Sequence, residues 1–227
     1  MKKFLPLVVA MLLTINFAFG QYLSEGFESA FTGTPPAPTG WTQTRIQPVI
    51  TTAEKDWLQN TWSGSAWLYT NGTTPATGAY AGTGVLWIDD YSFAGSSIPQ
   101  TARRMESPAM NLTASTSPYL RFWYFNSQSP GIILNLRVMV SGNGGTTWDL
   151  LTPIVNGYTA TISTWNRISV AIPAVYRTAN AKIAFELTNR YGSSNPFIDN
   201  VTVEEFTPTT ITSNASGDWN VAGTLVG

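Results

Sequence analysis

The sequence contains no cysteine and no histidine, and only 11% of its residues are charged. Without cysteine the chain forms no disulfide bond, so its fold must depend on an apolar core or on a bound metal ion. Without histidine it has no Ser-His-Asp or Cys-His catalytic arrangement, no histidine-ligated zinc and no histidine general base. Composition therefore excludes most of the familiar hydrolase mechanisms.

The first twenty residues have the pattern of a secretory signal peptide. Two lysines open the chain, an apolar run covers residues 4–15, and the small residues Ala18 and Gly20 precede a cleavage site before Gln21. The apolar run is too short to span a bilayer, and no cysteine follows it for a lipid anchor. We therefore predict a signal peptide at 1–20 and a mature protein that is secreted or held at the outer cell surface.

The charge of the mature chain argues against nucleic acid as a partner. Loss of the signal peptide removes two of the 12 basic residues and leaves a net charge of −3. No basic excess is present to attract a polyanion, and no later segment is apolar enough to cross a membrane.

Short β-branched and aromatic runs, separated by clusters of Gly, Pro, Asn and Ser, make up most of the mature sequence. Their number and spacing predict an all-β fold, a two-sheet antiparallel β-sandwich of the jelly-roll type. The expected strands cover residues 41–44, 66–69, 85–88, 102–106, 119–125, 132–140, 147–151, 166–172, 181–188 and 196–203. Residues 21–206 are predicted to form the domain, and 207–227 a linker and a truncated C-terminal remnant.

Four short motifs follow one another along the mature chain. They are SEGFE at 24–28 with a proline-rich loop that leads to Gly40-Trp41, ESPAMNL at 106–112, VSGNGGTTW at 140–148 and FIDNVTV at 197–203. In this combination the chain resembles the cleaved-adhesin, or choice-of-anchor J, domain of bacterial secreted surface proteins. The resemblance implies a jelly roll similar to MAM and galactose-binding domains, with a role in adhesion.

Asp199 is the residue that most strongly suggests a bound metal. Strand alternation predicts that it shares a face with Phe197, Val201 and Val203, where an unpaired carboxylate would be costly. The resemblance implies that Glu28 and Asp199, from the opening and closing motifs, help to hold a structural calcium ion. Further oxygen ligands are expected among Glu25, Asp89, Asp90 and Asn200. Alternatively, Asp199 accepts hydrogen bonds from turn amides and Asp89-Asp90 is a solvated loop.

The aromatic residues allow a second interpretation, because sugars stack on exposed rings. One segment shows little strand alternation and is the candidate ligand loop; it contains Trp57, Trp62, Trp67 and Tyr69. Large rings also fill the cores of β-sandwiches. That role is expected for Trp41, Trp87, Trp123 and Trp148.

The sequence therefore predicts a non-catalytic, calcium-stabilised adhesion or binding module that acts outside the cell. Its partner would be an extracellular protein, a glycan or a neighbouring domain of a longer chain. A carbohydrate-binding module is the alternative. A glycoside hydrolase is a third class, since two carboxylates suffice for that reaction, but no clustered acid–base motif is present.

Overall fold

The computed structural model describes residues 20–46, 56–61, 78–88, 102–126, 135–151, 162–188, 195–206, 212–213 and 225–226. In these ranges the chain forms 13 β-strands and one short 3₁₀ helix, which confirms the predicted all-β class. No helix in these ranges has the length and apolarity needed to span a membrane. Nearly all of the predicted signal peptide lies outside them.

The strands lie close to their predicted positions, with four additions. In chain order they are β1 (Gln21–Glu25), β2 (Thr42–Arg45), β3 (Leu58–Thr61), β4 (Gly84–Trp87), β5 (Ala102–Glu106), β6 (Pro118–Asn126), β7 (Asn135–Ser141), β8 (Asp149–Leu150), β9 (Ile162–Ala171), β10 (Lys182–Thr188), β11 (Pro196–Glu205), β12 (Thr212–Ser213) and β13 (Leu225–Val226). Strands β1, β3, β12 and β13 were not predicted, and β3 lies in the segment expected to be a ligand loop. The strand predicted at 66–69 lies outside the described residues.

Two antiparallel sheets form the sandwich. One has the strand order β3-β4-β11-β6-β9, and β1 also pairs with β11, which makes six strands. The other has the order β2-β5-β10-β7-β8. Strands β12 and β13 pair separately with each other. The predicted two-sheet β-sandwich is confirmed.

A large apolar core lies between the two sheets. On β10, Ile183, Phe185 and Leu187 are all buried in it, as the alternation of that strand predicts. Across the core Phe185 meets Phe122 of β6 edge to face, with ring centroids 5.1 Å apart. Each such side chain contributes roughly 1.5–3 kcal/mol through burial. The core can therefore hold the sandwich without disulfide bonds.

Trp57 belongs to this core and not to a ligand loop. Its side chain is 0% exposed, and its indole nitrogen donates a hydrogen bond to the carbonyl of Arg103. The prediction that Trp57 stacks on a ligand is wrong, because β3 begins at the next residue and the large ring fills space between the sheets. Trp62, Trp67 and Tyr69 lie outside the described residues.

Glu205, at the end of β11, anchors the turn that leads into β6. Its carboxylate accepts hydrogen bonds from the backbone amides of Thr116 at 2.6 Å and Ser117 at 3.0 Å, and from the hydroxyl of Ser115 at 3.0 Å. Partial burial raises the pKa of Glu205, but these hydrogen bonds to the ionised form outweigh it and lower the pKa below the ordinary value.

Glu205→Gln is expected to reduce the free energy of unfolding by about 1–2 kcal/mol, because glutamine offers one acceptor oxygen where the carboxylate offers two. A carboxyl group with a lowered pKa stabilises the fold above its unfolded-state pKa, and that contribution is lost as the pH falls through its folded-state pKa. Urea unfolding at pH 7 and pH 3 should therefore show a difference from the parent at pH 7 that shrinks in acid. Asp149→Asn, at an exposed carboxylate, is the control; an equal loss there would contradict the role given to Glu205.

Candidate functional site

The candidate site lies where two strands share one edge of β11. Strand β4 pairs with Phe197 and Ile198 of β11, whereas β1 pairs with the following part of that strand, from Val201 onward. Strand β1 ends at Glu25 and β4 begins at Gly84. The gap between these two strand ends therefore lies beside Asp199 and Asn200.

A bulge at Asn200 changes which way Asp199 points. Asn200 has a φ of 49°, and the register between β11 and β6 shifts between Asp199 and Thr202. Ile198 and Val201 both point into the main core as a result, while Phe197 packs in a second cluster on the outer side of the sheet. The prediction that Asp199 shares a face with Val201 and Val203 is wrong, because the extra residue interrupts the alternation; Asp199 lies on the outer side, with Phe197.

Asp199 is nevertheless completely buried, because the loop before β4 covers it. One carboxylate oxygen accepts a hydrogen bond from the amide of Ala81 at 3.0 Å, and the other from the amide of Asn200 at 2.6 Å. Burial raises the pKa of Asp199 to about 6, although hydrogen bonds from the amides of Ala81, Asn200 and Tyr80 oppose the shift. The nearby negative charge of Glu28 adds to the increase. The negative form of Asp199 is therefore costly in this environment.

Glu28 binds the same loop. Its carboxylate accepts hydrogen bonds from the amides of Thr83 at 3.1 Å and Gly84 at 3.2 Å, and from the Thr83 hydroxyl. The chain reaches this position through Phe27, which has a φ of 58°. The carbonyl of Phe27 accepts a hydrogen bond from the side chain of Gln59 at 2.7 Å. The SEGFE motif thus supplies the carboxylate of Glu28, which binds the loop that covers Asp199.

Two glycines allow the loop before β4 to lie close to Phe27 and Glu28. A Cβ at Gly84 would lie 2.1 Å from the carbonyl oxygen of Phe27, and one at Gly82, where φ is 61°, would lie 2.2 Å from the carboxylate of Glu28. At Gly84 the contact is with backbone atoms, so a side chain does not fit there. At Gly82 the carboxylate of Glu28 could shift, but the positive φ still favours glycine. Gly82 and Gly84 are therefore part of the site, although the sequence analysis did not single them out.

The structure brings together two of the predicted metal ligands, Glu28 and Asp199. Glu25 instead accepts a hydrogen bond from the amide of Phe27 at 2.6 Å. Asp89 and Asp90 lie outside the described residues, within which no group of three or more acidic, histidine or cysteine side chains is found. In the described part of the chain, neither Glu28 nor Asp199 forms an ion pair with Lys or Arg. Two neighbouring carboxylates without a basic partner fit a hard cation such as calcium.

A second feature lies beside this site, on the outer face of the six-stranded sheet. Tyr80, from the loop that covers Asp199, stacks on Trp123 of β6 with ring centroids 3.7 Å apart and planes 15° apart. Trp165 of β9 meets Tyr80 edge to face at 6.3 Å. These rings form an aromatic wall on the surface of the sheet.

Trp123 was expected in the core, and that prediction is wrong. Its neighbours Phe122 and Tyr124 point into the core, so Trp123 must point outward by the alternation of the strand. The run Phe122–Phe125 is aromatic on both faces, and the pattern alone does not say which rings lie inside. The pairing of β6 with β9 and β11 decides it.

A cavity of about 260 Å³ opens next to the aromatic wall. It is lined by Tyr80, Arg121, Phe122, Trp123, Arg167, Asn200, Thr202 and Glu204. Arg121 forms an ion pair with Glu204. Arg167, directly opposite Trp123 in the strand pairing, is exposed and makes no ion pair with the residues that the structure describes. Of the residues that line this cavity, only Asn200 was predicted to bind a ligand, as part of the metal site.

Several solved structures are similar in fold to this chain. The K1 cleaved adhesin domain of Lys-gingipain from Porphyromonas gingivalis W83 has a TM-score of 0.52 and 18% sequence identity, covering 83% of this chain and 100% of its own. The K3 domain from the same organism has a TM-score of 0.53 and 15% identity, with coverage of 82% and 99%. The K2 domain of Lys-gingipain has a TM-score of 0.52 and 18% identity, with coverage of 80% and 98%.

Sequence comparison adds no closer relationship. No family model matches the chain, and a search of curated proteins finds no significant match. At 15–18% identity the likeness to the gingipain domains establishes the fold. The predicted resemblance is confirmed at that level: cleaved adhesin domains are among the structural neighbours of this chain.

Proposed function

We propose that this chain is a non-catalytic extracellular binding module whose ligand surface is the outer face of the six-stranded sheet. The observation that carries the proposal is the cavity beside Tyr80 and Trp123. Aromatic rings and charged groups meet there, on the face of the sheet that points away from the main core. The fold shared with cleaved adhesin domains supports adhesion as the purpose of such a surface. The signal-peptide pattern of residues 1–20 supports secretion or display at the cell surface.

Calcium at Glu28 and Asp199 is the second part of the proposal. The ion would supply positive charge between two carboxylates that now repel each other, and Asn200 or backbone carbonyls would complete its oxygen ligands. Glu28, Asp199 and the loop amides that they bind would hold the segment 80–84 against β11. Because Tyr80 belongs to that segment, the metal site would also position the aromatic wall.

Addition of calcium to chelator-treated protein is expected to raise the midpoint of thermal unfolding by several degrees, since an ion that binds only the folded state stabilises it by about 2.7 kcal/mol at 100 times its Kd. Differential scanning calorimetry in EGTA, in excess calcium and in excess magnesium measures the effect. Magnesium is the control, because it requires a smaller and more regular set of ligands. Identical melts in EGTA and calcium would rule out the calcium part of the proposal.

The geometry does not support a hydrolase. Asp199 has the raised pKa expected of a general acid. Its carboxyl group is fully buried, however, and its two oxygens accept hydrogen bonds from the backbone amides of Ala81 and Asn200. A general acid must come within hydrogen-bond reach of its substrate. The carboxylates of this site therefore serve to hold the loop.

Binding by the outer face can be tested with the mature protein on arrays of neutral glycans, acidic glycans and extracellular proteins. The double variant Tyr80→Ala/Arg167→Ala should reduce binding of the ligand by about tenfold or more, since it removes one aromatic surface and one charged donor. The matched control is Val175→Ala/Arg137→Ala, which removes exposed side chains elsewhere on the domain. Equal loss of binding in both variants, or no ligand on any array, would contradict the proposed function.

A further inference from the structure

We infer that the cavity on the outer face of the six-stranded sheet binds an acidic saccharide, a sugar ring that carries one negative charge as a uronate or a sulfate ester. This inference rests on the proposed function and assigns a chemical class to its ligand. It is carried by three properties of the cavity: its charge, its aromatic wall and its size.

The charge of the cavity favours an anion. Two arginines and one glutamate line it, which leaves one positive charge in excess. Glu204 is engaged with Arg121, so the excess charge is that of Arg167, which is exposed at the cavity. The whole chain has a net charge of −1, so the cavity is a local exception to the charge of the protein. A guanidinium group offers several N–H donors in a planar array that suits the oxygens of a carboxylate or sulfate.

The aromatic wall favours a ring with an apolar face. Tyr80 is 40% exposed although it stacks on Trp123, so part of its ring remains available to a ligand. A sugar ring presents C–H groups on its faces and hydroxyl groups at its edge, and an aromatic face packs against the former. Thr202, Glu204 and Asn200 lie around the same cavity and provide donors and acceptors for the hydroxyl groups.

The size of the cavity limits the ligand to about one ring. Its volume of about 260 Å³ is slightly below the roughly 300–1,000 Å³ that is usual for sites of drug-sized molecules. Such a space suits a single sugar unit within a longer polysaccharide, whose neighbouring units would extend over the sheet. A folded protein partner would need a much larger contact area.

Isothermal titration calorimetry with defined trisaccharides tests this inference. The probes are trigalacturonate, its fully methyl-esterified form, a galactose trisaccharide that carries sulfate esters, and neutral galactotriose. The charged probes are expected to bind at least about tenfold more tightly than the neutral and esterified ones, as one charge-assisted contact requires. The uronate and sulfate probes together identify which anion the cavity prefers.

Variants locate the binding and separate the two proposals. Arg167→Gln should reduce the affinity for the charged probe by about tenfold or more and leave the weak binding of the neutral probe unchanged. Arg137→Gln, an arginine on the outer face of the other sheet, should have no effect on either. Equal affinity for charged and neutral probes would overturn the inference. Binding of inorganic sulfate with no binding of any saccharide would also overturn it. Loss of a protein ligand in Tyr80→Ala/Arg167→Ala, with no saccharide bound, would overturn it and leave the proposed function in place.

Discussion

Replacing Gly84 by alanine should lower the midpoint of thermal unfolding by about 6–12 °C, which corresponds to about 3 kcal/mol in a domain of this size. The new Cβ would lie 2.1 Å from the carbonyl oxygen of Phe27 and 2.8 Å from its carbonyl carbon. Both are backbone atoms, and the carbonyl is already held by the side chain of Gln59. Gly84 in turn lies at the start of β4, which pairs with both β3 and β11. Neither side of the contact can move without loss of hydrogen bonds.

Gly142→Ala is the control for this effect. Gly142 is partly buried, but the atom nearest to a Cβ there is 3.4 Å away, which is an ordinary contact, and its φ is not positive. Its substitution should change the stability by less than about 0.5 kcal/mol, as at sites without a named defect. Calorimetry of the two variants in EGTA and in calcium measures both effects. A Gly84→Ala protein as stable as Gly142→Ala would show that the loop is not packed against Phe27 as described.

Replacing Asp199 by asparagine should change how the stability of the calcium-free protein depends on pH. A carboxyl group whose pKa is raised in the folded state keeps its proton while the unfolded chain releases one, so stability falls as pH rises between the two pKa values. Here the window runs from 3.8 to about 6. The cost of ionising Asp199 in the folded protein is therefore at most about 3 kcal/mol above this window.

The free energy of unfolding of Asp199→Asn, measured in EGTA relative to the parent, should accordingly improve by up to about 3 kcal/mol between pH 4 and pH 7. Near pH 4, where the carboxyl group of Asp199 is protonated in the folded parent, the variant should be the less stable of the two. The NH2 group of asparagine cannot accept a hydrogen bond from the backbone amide of Ala81 or Asn200, whereas the hydroxyl oxygen of a protonated carboxyl group still can. In calcium at pH 7 the order should reverse, since only the parent gains from the ion. Urea titrations in EGTA and in calcium measure these free energies of unfolding. If the difference between the variant and the parent in EGTA did not vary with pH, Asp199 would not be a buried carboxylate without a compensating charge.

Much of the scaffold could be predicted from residue patterns because strand alternation is a local property. Ile183, Phe185 and Leu187 of β10 alternate with polar residues, and their burial follows from that pattern. The turn at Gly144 and Gly145, with φ values of 73° and 94°, follows from two adjacent glycines in the same way. Strand β3 was missed because Leu58–Thr61 has no such alternation; it becomes a strand through pairing with β4.

The candidate site was predicted in part. Glu28 and Asp199 were named, and in the structure both accept hydrogen bonds from the loop before β4. The direction of Asp199 was not predictable, because one residue in a left-handed conformation at Asn200 reverses the faces of the strand. Trp57 and Trp123 were assigned to the wrong environments for a related reason: a tryptophan carries no local signal that tells a core position from a surface one.

By itself the sequence determined the chemistry that this protein lacks and the class of fold that it adopts. The absence of cysteine and histidine is read from the composition of the whole chain, and the alternation of each strand is visible in a short window of residues. Only the tertiary structure decided what the carboxylates and rings do. The hydrogen bond from Ala81 to Asp199 joins residues 118 positions apart, and Tyr80 reaches Trp123 through the same loop. Such contacts depend on the register of whole strands, and a change of one residue in register moves a side chain to the opposite face of the sheet.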